Sequence, residues 1–203
     1  MNKPLYYKYG KKEIEWLSSR DKAMGKLMER MGKIKREVNP DLFSALVNSI
    51  IGQQISSKAH ASVWIKMQER FTPLTPQKIN SAPKEEIQSC GTSMRKAEYI
   101  KGIARAVLEK ELDLEGLKKL SGEEIIEKLI CLKGIGKWTI EMLMIFSMQR
   151  KDILSFGDLG IIRGMKILYK KDEITADFFE KCKKRYSPYA SVASLYLWAI
   201  SSE

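Results

Sequence analysis

Cysteine is scarce in this 203-residue chain: Cys90, Cys131 and Cys182 are the only three, an odd number spaced about forty positions or more apart. That spacing excludes a disulfide framework and a local metal knuckle, and it predicts reduced, mostly buried thiols. Histidine occurs once, His60, among polar neighbours, and no catalytic role is expected of it. Long apolar runs are missing too. Residues 140–146 are interrupted by Glu141 and fall far short of the ~18 to 20 residues that span a bilayer, so no transmembrane helix is expected. The first twenty residues lack the apolar stretch and small-residue cleavage site of a secretory signal, which predicts a cytoplasmic protein, nucleoid-associated if bacterial. No run shows strict two-residue alternation between hairpin turns, so a sheet has no evident material.

Acidic residues are the scarcer sign. There are 25 Asp and Glu against 36 Lys and Arg, a net charge of +11 that draws the chain toward a polyanion, with nucleic acid the leading class of partner. The remainder is ordinary for a folded protein: 44% apolar and 30% charged residues, in a chain long enough to bury a core without staples.

What the sequence does contain is helix punctuation. Asn39-Pro40-Asp41 offers an N-cap, a proline and a first-turn acid ahead of Leu42, Phe43, Leu46, Val47, Ile50 and Ile51 at helical spacing. Gly52, Gln53 and Gln54 break that pattern, and Ser56 or Ser57 caps a second helix. Thr75-Pro76 and Ala82-Pro83 open short helices, and an amphipathic stretch runs from Lys96 to Leu108. Ser121-Gly122-Glu123-Glu124 reads as a capping box. Further helices run from Lys137 to about Met148, from Asp158 to Tyr169, after Thr175 and after Ser187-Pro188. The expectation is an all-α fold of about ten helices.

The most informative stretch is Leu132-Lys133-Gly134-Ile135-Gly136-Lys137-Trp138-Thr139. Two glycines around one apolar residue, between two helices, make a tight turn whose backbone can approach another surface closely, with Ile135 tucked back between the helices. The first amides of the following helix then point outward at its positive dipole end, a ready phosphate site to which Lys133 and Lys137 add charge. A plain αα-hairpin, with glycines that only permit the turn, is the alternative from these residues alone.

Four ordered blocks, LFSALVNSIIGQQISSKA, SMRKAEYIKGIARA, LKGIGKWTIEML and SFGDLGIIRG, with SPYASVASLYLW closing the chain, resemble the helix-hairpin-helix DNA glycosylases, specifically the 3-methyladenine DNA glycosylase II branch. The resemblance runs from about Tyr6 to Ser201. It implies two helical lobes with the active-site cleft between them. It also implies a helix-hairpin-helix motif followed by a Gly-x-Asp loop. One lobe is expected over residues 42–150, with the hairpin at 132–138, and the other over 1–41 plus 151–203.

The resemblance also implies roles. Asp158, twenty positions after Trp138, matches the catalytic aspartate; its residue-level alternative is a helix cap. Trp138 and Trp198 match base-pocket aromatics, ordinary core packing being their alternative. Trp138 also stands where lyase members keep the lysine that attacks the sugar, which implies a monofunctional enzyme. Gln53 or Gln54 sits where the family inserts a wedge into the duplex. Lys133, Gly134, Ile135, Gly136, Lys137 and Thr139 form the DNA-binding hairpin. The carbonyls of Ile130, Leu132 and Ile135 would hold a structural Na+ or K+ ion. No cofactor is implied for catalysis, and the four-cysteine cluster signature of iron–sulfur members is absent.

Two positions depart from the pattern: Ala190 follows Pro188-Tyr189 where an arginine is common, and Gly157 precedes Asp158 where an acid often stands. The expectation is a monomeric glycosylase that removes alkylated purines from double-stranded DNA in base excision repair. A non-catalytic helix-hairpin-helix protein that binds distorted duplex and an oxidised-guanine glycosylase are the alternatives.

Overall fold

A computed structural model describes residues 4–203. In chain order its elements are β1 (Leu5–Tyr6), α1 (Lys11–Arg20), α2 (Lys22–Met31), β2 (Glu37–Val38), α3 (Leu42–Gly52), α4 (Ser57–Arg70), α5 (Pro76–Ser81), α6 (Lys84–Ser89), α7 (Met94–Leu108), α8 (Leu114–Leu117), α9 (Gly122–Leu129), α10 (Lys137–Phe146), α11 (Leu159–Tyr169), α12 (Ala176–Tyr186) and α13 (Ala190–Ile200). The fold is all-α. Among the described residues there are thirteen helices rather than about ten; the three not read from the sequence are α1, α2 and the four-residue α8. The one departure from pure helix is a two-stranded antiparallel ribbon that pairs Leu5 with Val38 and Tyr6 with Glu37, too short to show alternation in the sequence. No helix among the described residues is long and apolar enough to cross a membrane.

The chain divides into two compact units. One comprises Asn39–Leu143, and the other takes the residues up to Val38 together with Met144–Glu203. The second boundary lies seven residues before the 150 read from the sequence, for a local reason. The Arg150 amide donates to the Met144 carbonyl at 2.9 Å, and the Arg150 carbonyl accepts the hydroxyls of Tyr7 at 2.9 Å and Ser191 at 2.6 Å. Residues 144–150 are therefore tied to partners near the chain's two ends.

In the Asn39–Leu143 unit, α7 is the central helix. Its Ala97, Ile100, Ile103 and Ala104 are buried at helical spacing, and α3, α5 and α6 pack on it. Capping follows the sequence with one shift. Asp41, not Asn39, caps α3, because its carboxylate reaches the Ser44 amide at 3.1 Å, while Asn39 accepts from the Asp41 amide. Ser56, Thr75, Ser93 and Ser121 cap α4, α5, α7 and α9.

In the other unit, α13 is apolar on every side and buried from Ala190 through Leu197. Helix α11 lies against it at unusually short range: a Cβ on Gly164 would stand 2.1 Å from the Leu197 carbonyl oxygen. Only glycine allows that approach. Near the start of α2, buried Asp21 accepts from the amides of Ala23 and Met24, from the Tyr169 hydroxyl at 2.6 Å and from the Arg185 guanidinium at 2.6 Å. Burial pushes its carboxyl up, but Tyr169, Met24 and Arg185 outweigh that and hold it below the usual carboxylate range. Two thiols, Cys90 and Cys182, are buried as expected; Cys131 is exposed, since it lies past the end of α9 just before the hairpin.

Candidate active site and hairpin

Asp158 is the N-cap of α11. Its Oδ1 accepts the Ile161 amide at 2.9 Å, so the cap reading of this residue holds. The same oxygen accepts a second hydrogen bond, from the indole Nε1–H of Trp198 at 2.8 Å. The residue is only 6% exposed, and these donors to Oδ1 restrain the carboxylate. Trp198 rests against Phe146, with ring centroids 5.4 Å apart at 37°, and the Arg36 guanidinium lies over the other ring of that pair, 5.6 Å from the Phe146 centroid. Gly157 stands directly before the acid with no residue between them. A Cβ there would meet nothing within 4 Å, so the missing acidic side chain leaves no packing defect. Ala190, the other departure, is fully buried with its amide on Asp152 Oδ1 at 3.2 Å, and packing closes the position to a long side chain.

The remaining candidates belong to the Asn39–Leu143 unit. Residues Leu132 to Gly136 form a tight turn in which the Ile135 amide donates to the Leu132 carbonyl at 3.1 Å. The Ile140 amide donates to the Gly136 carbonyl at 3.1 Å and starts α10. The two glycines are not equivalent. Gly134 has φ +85°, and a Cβ on it would strike the Tyr99 ring at 2.3 Å; Gly136 has open space around it. Ile135 is buried, as the tucked-back reading requires, while Lys133, Gly136 and Lys137 are exposed. Thr139 is 5% exposed and faces the interior, so its side chain is not part of the turn's outer surface. Trp138, in the first turn of α10, is 48% exposed, which rules out ordinary core packing for it.

Gln53 and Gln54 separate cleanly. The Gln53 side-chain amide donates to the Gly134 carbonyl at 2.7 Å, so it is a staple between the α3–α4 corner and the hairpin. Gln54 is exposed and holds φ +55°, a left-handed conformation uncommon for a residue other than glycine. Lys96 closes the arrangement by donating to the Ile51 carbonyl at 2.9 Å and the Gln53 carbonyl at 2.5 Å. Burial, then the nearby Arg95 charge, push its ammonium below the usual lysine range. Lys96 and Tyr99 escape a sequence reading because a lysine and a tyrosine on an amphipathic helix look like solvated surface. His60 binds the Asn48 side chain at 2.7 Å, a tie between α4 and α3.

The expected cation ligands fit in kind. Ile130 follows α9 as its C-cap with helical angles, so carbonyls here lie at the negative end of the helix dipole, and that of Leu132 keeps a lone pair beyond its bond from Ile135. Oxygen donors of this sort suit a hard cation.

A helical chain with a glycine hairpin ahead of a buried, helix-capping aspartate is the arrangement of a class of DNA repair proteins. The chain belongs to the HhH-GPD superfamily of base excision DNA repair proteins, whose family model matches residues 47–188, and within it to the 3-methyladenine glycosylase family. It is 34% identical over 168 residues to DNA-3-methyladenine glycosylase 1 of Schizosaccharomyces pombe, covering 78% of this chain and 72% of that protein. The crystal structure of a DNA-3-methyladenine glycosidase from Bacillus halodurans superposes with a TM-score of 0.86 at 34% identity, over 97% of this chain and 92% of that one. A 3-methyladenine DNA glycosylase of S. pombe, in complex with abasic DNA, superposes with a TM-score of 0.83 at 30% identity, over 95% of this chain and 98% of that one.

Proposed function

We propose that this chain is a monofunctional DNA glycosylase that flips alkylated purines out of duplex DNA and hydrolyses their N-glycosidic bond, with Asp158 as the catalytic residue. The observation that carries the reading is the geometry of that carboxylate: 6% exposed, at a helix N-terminus, and held by two donors at 2.8 and 2.9 Å.

An N3- or N7-alkylated purine is cationic, so its bond to the sugar is already weakened and the protein has little leaving-group activation to supply. Binding needs an aromatic face for the flipped ring, and cation–π attraction there is worth about 1 to 2 kcal/mol once water is excluded. Exposed Trp138 offers one such face and Trp198 is the second candidate. As the bond breaks, positive charge develops on the sugar. A fixed carboxylate at Asp158 stabilises it and orients the attacking water. No residue in this scheme forms a covalent bond to the sugar, because an indole stands where a lyase has its lysine.

For the duplex, the amides around Gly136 and the charges of Lys133 and Lys137 grip a phosphate. The net charge of +11 supplies the non-specific attraction. The carbonyls of Ile130, Leu132 and Ile135 would hold a Na+ or K+ ion whose chemistry is structural, a charge bridge to phosphate. Gln54, not Gln53, is the wedge that fills the gap left by the flipped base.

Base-release profiling tests the proposal: the protein is incubated with duplexes carrying 3-methyladenine, 7-methylguanine, hypoxanthine, ethenoadenine or 8-oxoguanine, and liberated bases are identified by mass. Free alkylpurine, lost in Asp158→Asn, is the expected result. Release of 8-oxoguanine alone, or of nothing despite tight binding, overturns it.

A further inference from the structure

We propose that Trp198 is a positioning residue for Asp158: it acts on catalysis through the hydrogen bond from its indole Nε1–H to the carboxylate. This rests on the catalytic reading of Asp158 given above.

The cap bond from the Ile161 amide holds the carboxylate from within α11. A carboxylate that must face a developing sugar cation needs tighter control, since a misplacement on the order of 1 Å can cost about 100-fold in rate. Trp198 supplies a restraint from outside that helix. Its N–H lies 2.8 Å from the oxygen already held by Ile161, so the carboxylate is bracketed from its own helix and from α13.

The surroundings show that this bond is built in. Gly160 and Gly164 are four positions apart on α11 and share the face toward α13. At Gly160 a Cβ would stand 2.8 Å from Trp198 Cδ1 and 3.1 Å from Asp158 Oδ1; at Gly164 it would stand 2.1 Å from the Leu197 carbonyl oxygen. Absence of side chains at these two positions lets the α13 backbone and the indole close on α11. Phe146, 5.4 Å away, supports the ring from another side. Gly160 and Gly164 of the block SFGDLGIIRG thus acquire a reason: they make room for a donor to the acid two residues before Gly160.

The test separates a ring that stacks on the base from an N–H that steers the acid. Trp198→Phe keeps an aromatic ring and deletes the donor. The single-turnover excision rate of 7-methylguanine at saturating protein should fall about 10-fold to 100-fold, while the dissociation constant for a duplex carrying a tetrahydrofuran abasic analogue stays within about twofold. Gly160→Ala, which adds a methyl group and retains the indole, should lower the rate in the same sense, and it serves if Trp198→Phe fails to fold. In a proton–nitrogen correlation spectrum, the indole signal that disappears in Trp198→Phe should shift in Asp158→Asn. The proposal is overturned if Trp198→Phe excises within twofold of wild type, if rate and duplex affinity fall by the same factor, or if that indole signal ignores Asp158→Asn. Wild-type excision by Asp158→Asn would instead overturn the catalytic reading itself, whatever Trp198 does.

Discussion

The side-chain amide of Gln53 donates to the carbonyl of Gly134 across 81 positions of sequence, at 2.7 Å. This bond joins the corner after α3 to the turn before α10, and Lys96 ties the same corner to α7 through the Ile51 and Gln53 carbonyls. Gln53→Ala should therefore cost about 1 kcal/mol of stability, the usual net worth of such a bond, read as a lower Tm. Gln54→Gly relieves a left-handed residue and should leave Tm equal or higher, yet weaken binding to a lesion duplex by about tenfold if Gln54 is the wedge. A reversed pattern would exchange their roles.

Gly136→Arg tests the backbone grip on phosphate. The position has open space and no positive φ, so the substitution should fold normally by circular dichroism. Its side chain nevertheless stands where a phosphate must approach, and binding to damaged and undamaged duplex should weaken alike. Charge counting predicts the opposite, tighter binding with a salt slope steeper by about 0.9. Isotherms at three salt concentrations distinguish the two.

Reaction products should be intact abasic strands that break only after hot alkali. Trp138 has no amine with which to attack the sugar, so borohydride should trap no protein–DNA adduct. An adduct seen by gel shift would show lyase chemistry and contradict the assignment.

Gly164→Ala should be among the most damaging conservative changes in the chain. The added methyl group meets backbone at 2.1 Å, not the yielding end of a side chain, and α11 must move off α13. A loss of about 2 to 3 kcal/mol is expected, which thermal melting would show as a fall in Tm of about 5 to 10 °C.

Acid should destabilise the protein partly through Asp21. Its folded carboxyl is held below the ordinary value by Tyr169, Met24 and Arg185 against the effect of burial. The stabilisation is therefore complete above the unfolded pKa of about 3.9 and lost as pH falls through the lower folded value. Asp21→Asn should be less stable at pH 7 and show a shallower loss of stability between about pH 5 and pH 2, measured by urea denaturation at stepped pH.

The sequence by itself determined the helical class, most caps and the hairpin turn, because these depend on short-range pattern: apolar spacing, capping side chains and glycine permission within a few residues; Asp158 stood out as the acid to watch only through the resemblance of its block to the glycosylase family. Even so, Asp41 displaced Asn39 as a cap, and the two-residue ribbon left no periodic trace. Only the tertiary structure decided what Trp198, Gln53, Lys96 and Thr139 do. Trp198 reaches Asp158 across 40 positions, Gln53 is a staple and Gln54 the exposed neighbour, Lys96 is spent on two carbonyls, and Thr139 is buried. Each of these depends on where distant segments meet, set by close packing such as that of Gly164 on Leu197. A side chain's type shows which bonds it can make, and packing selects among them.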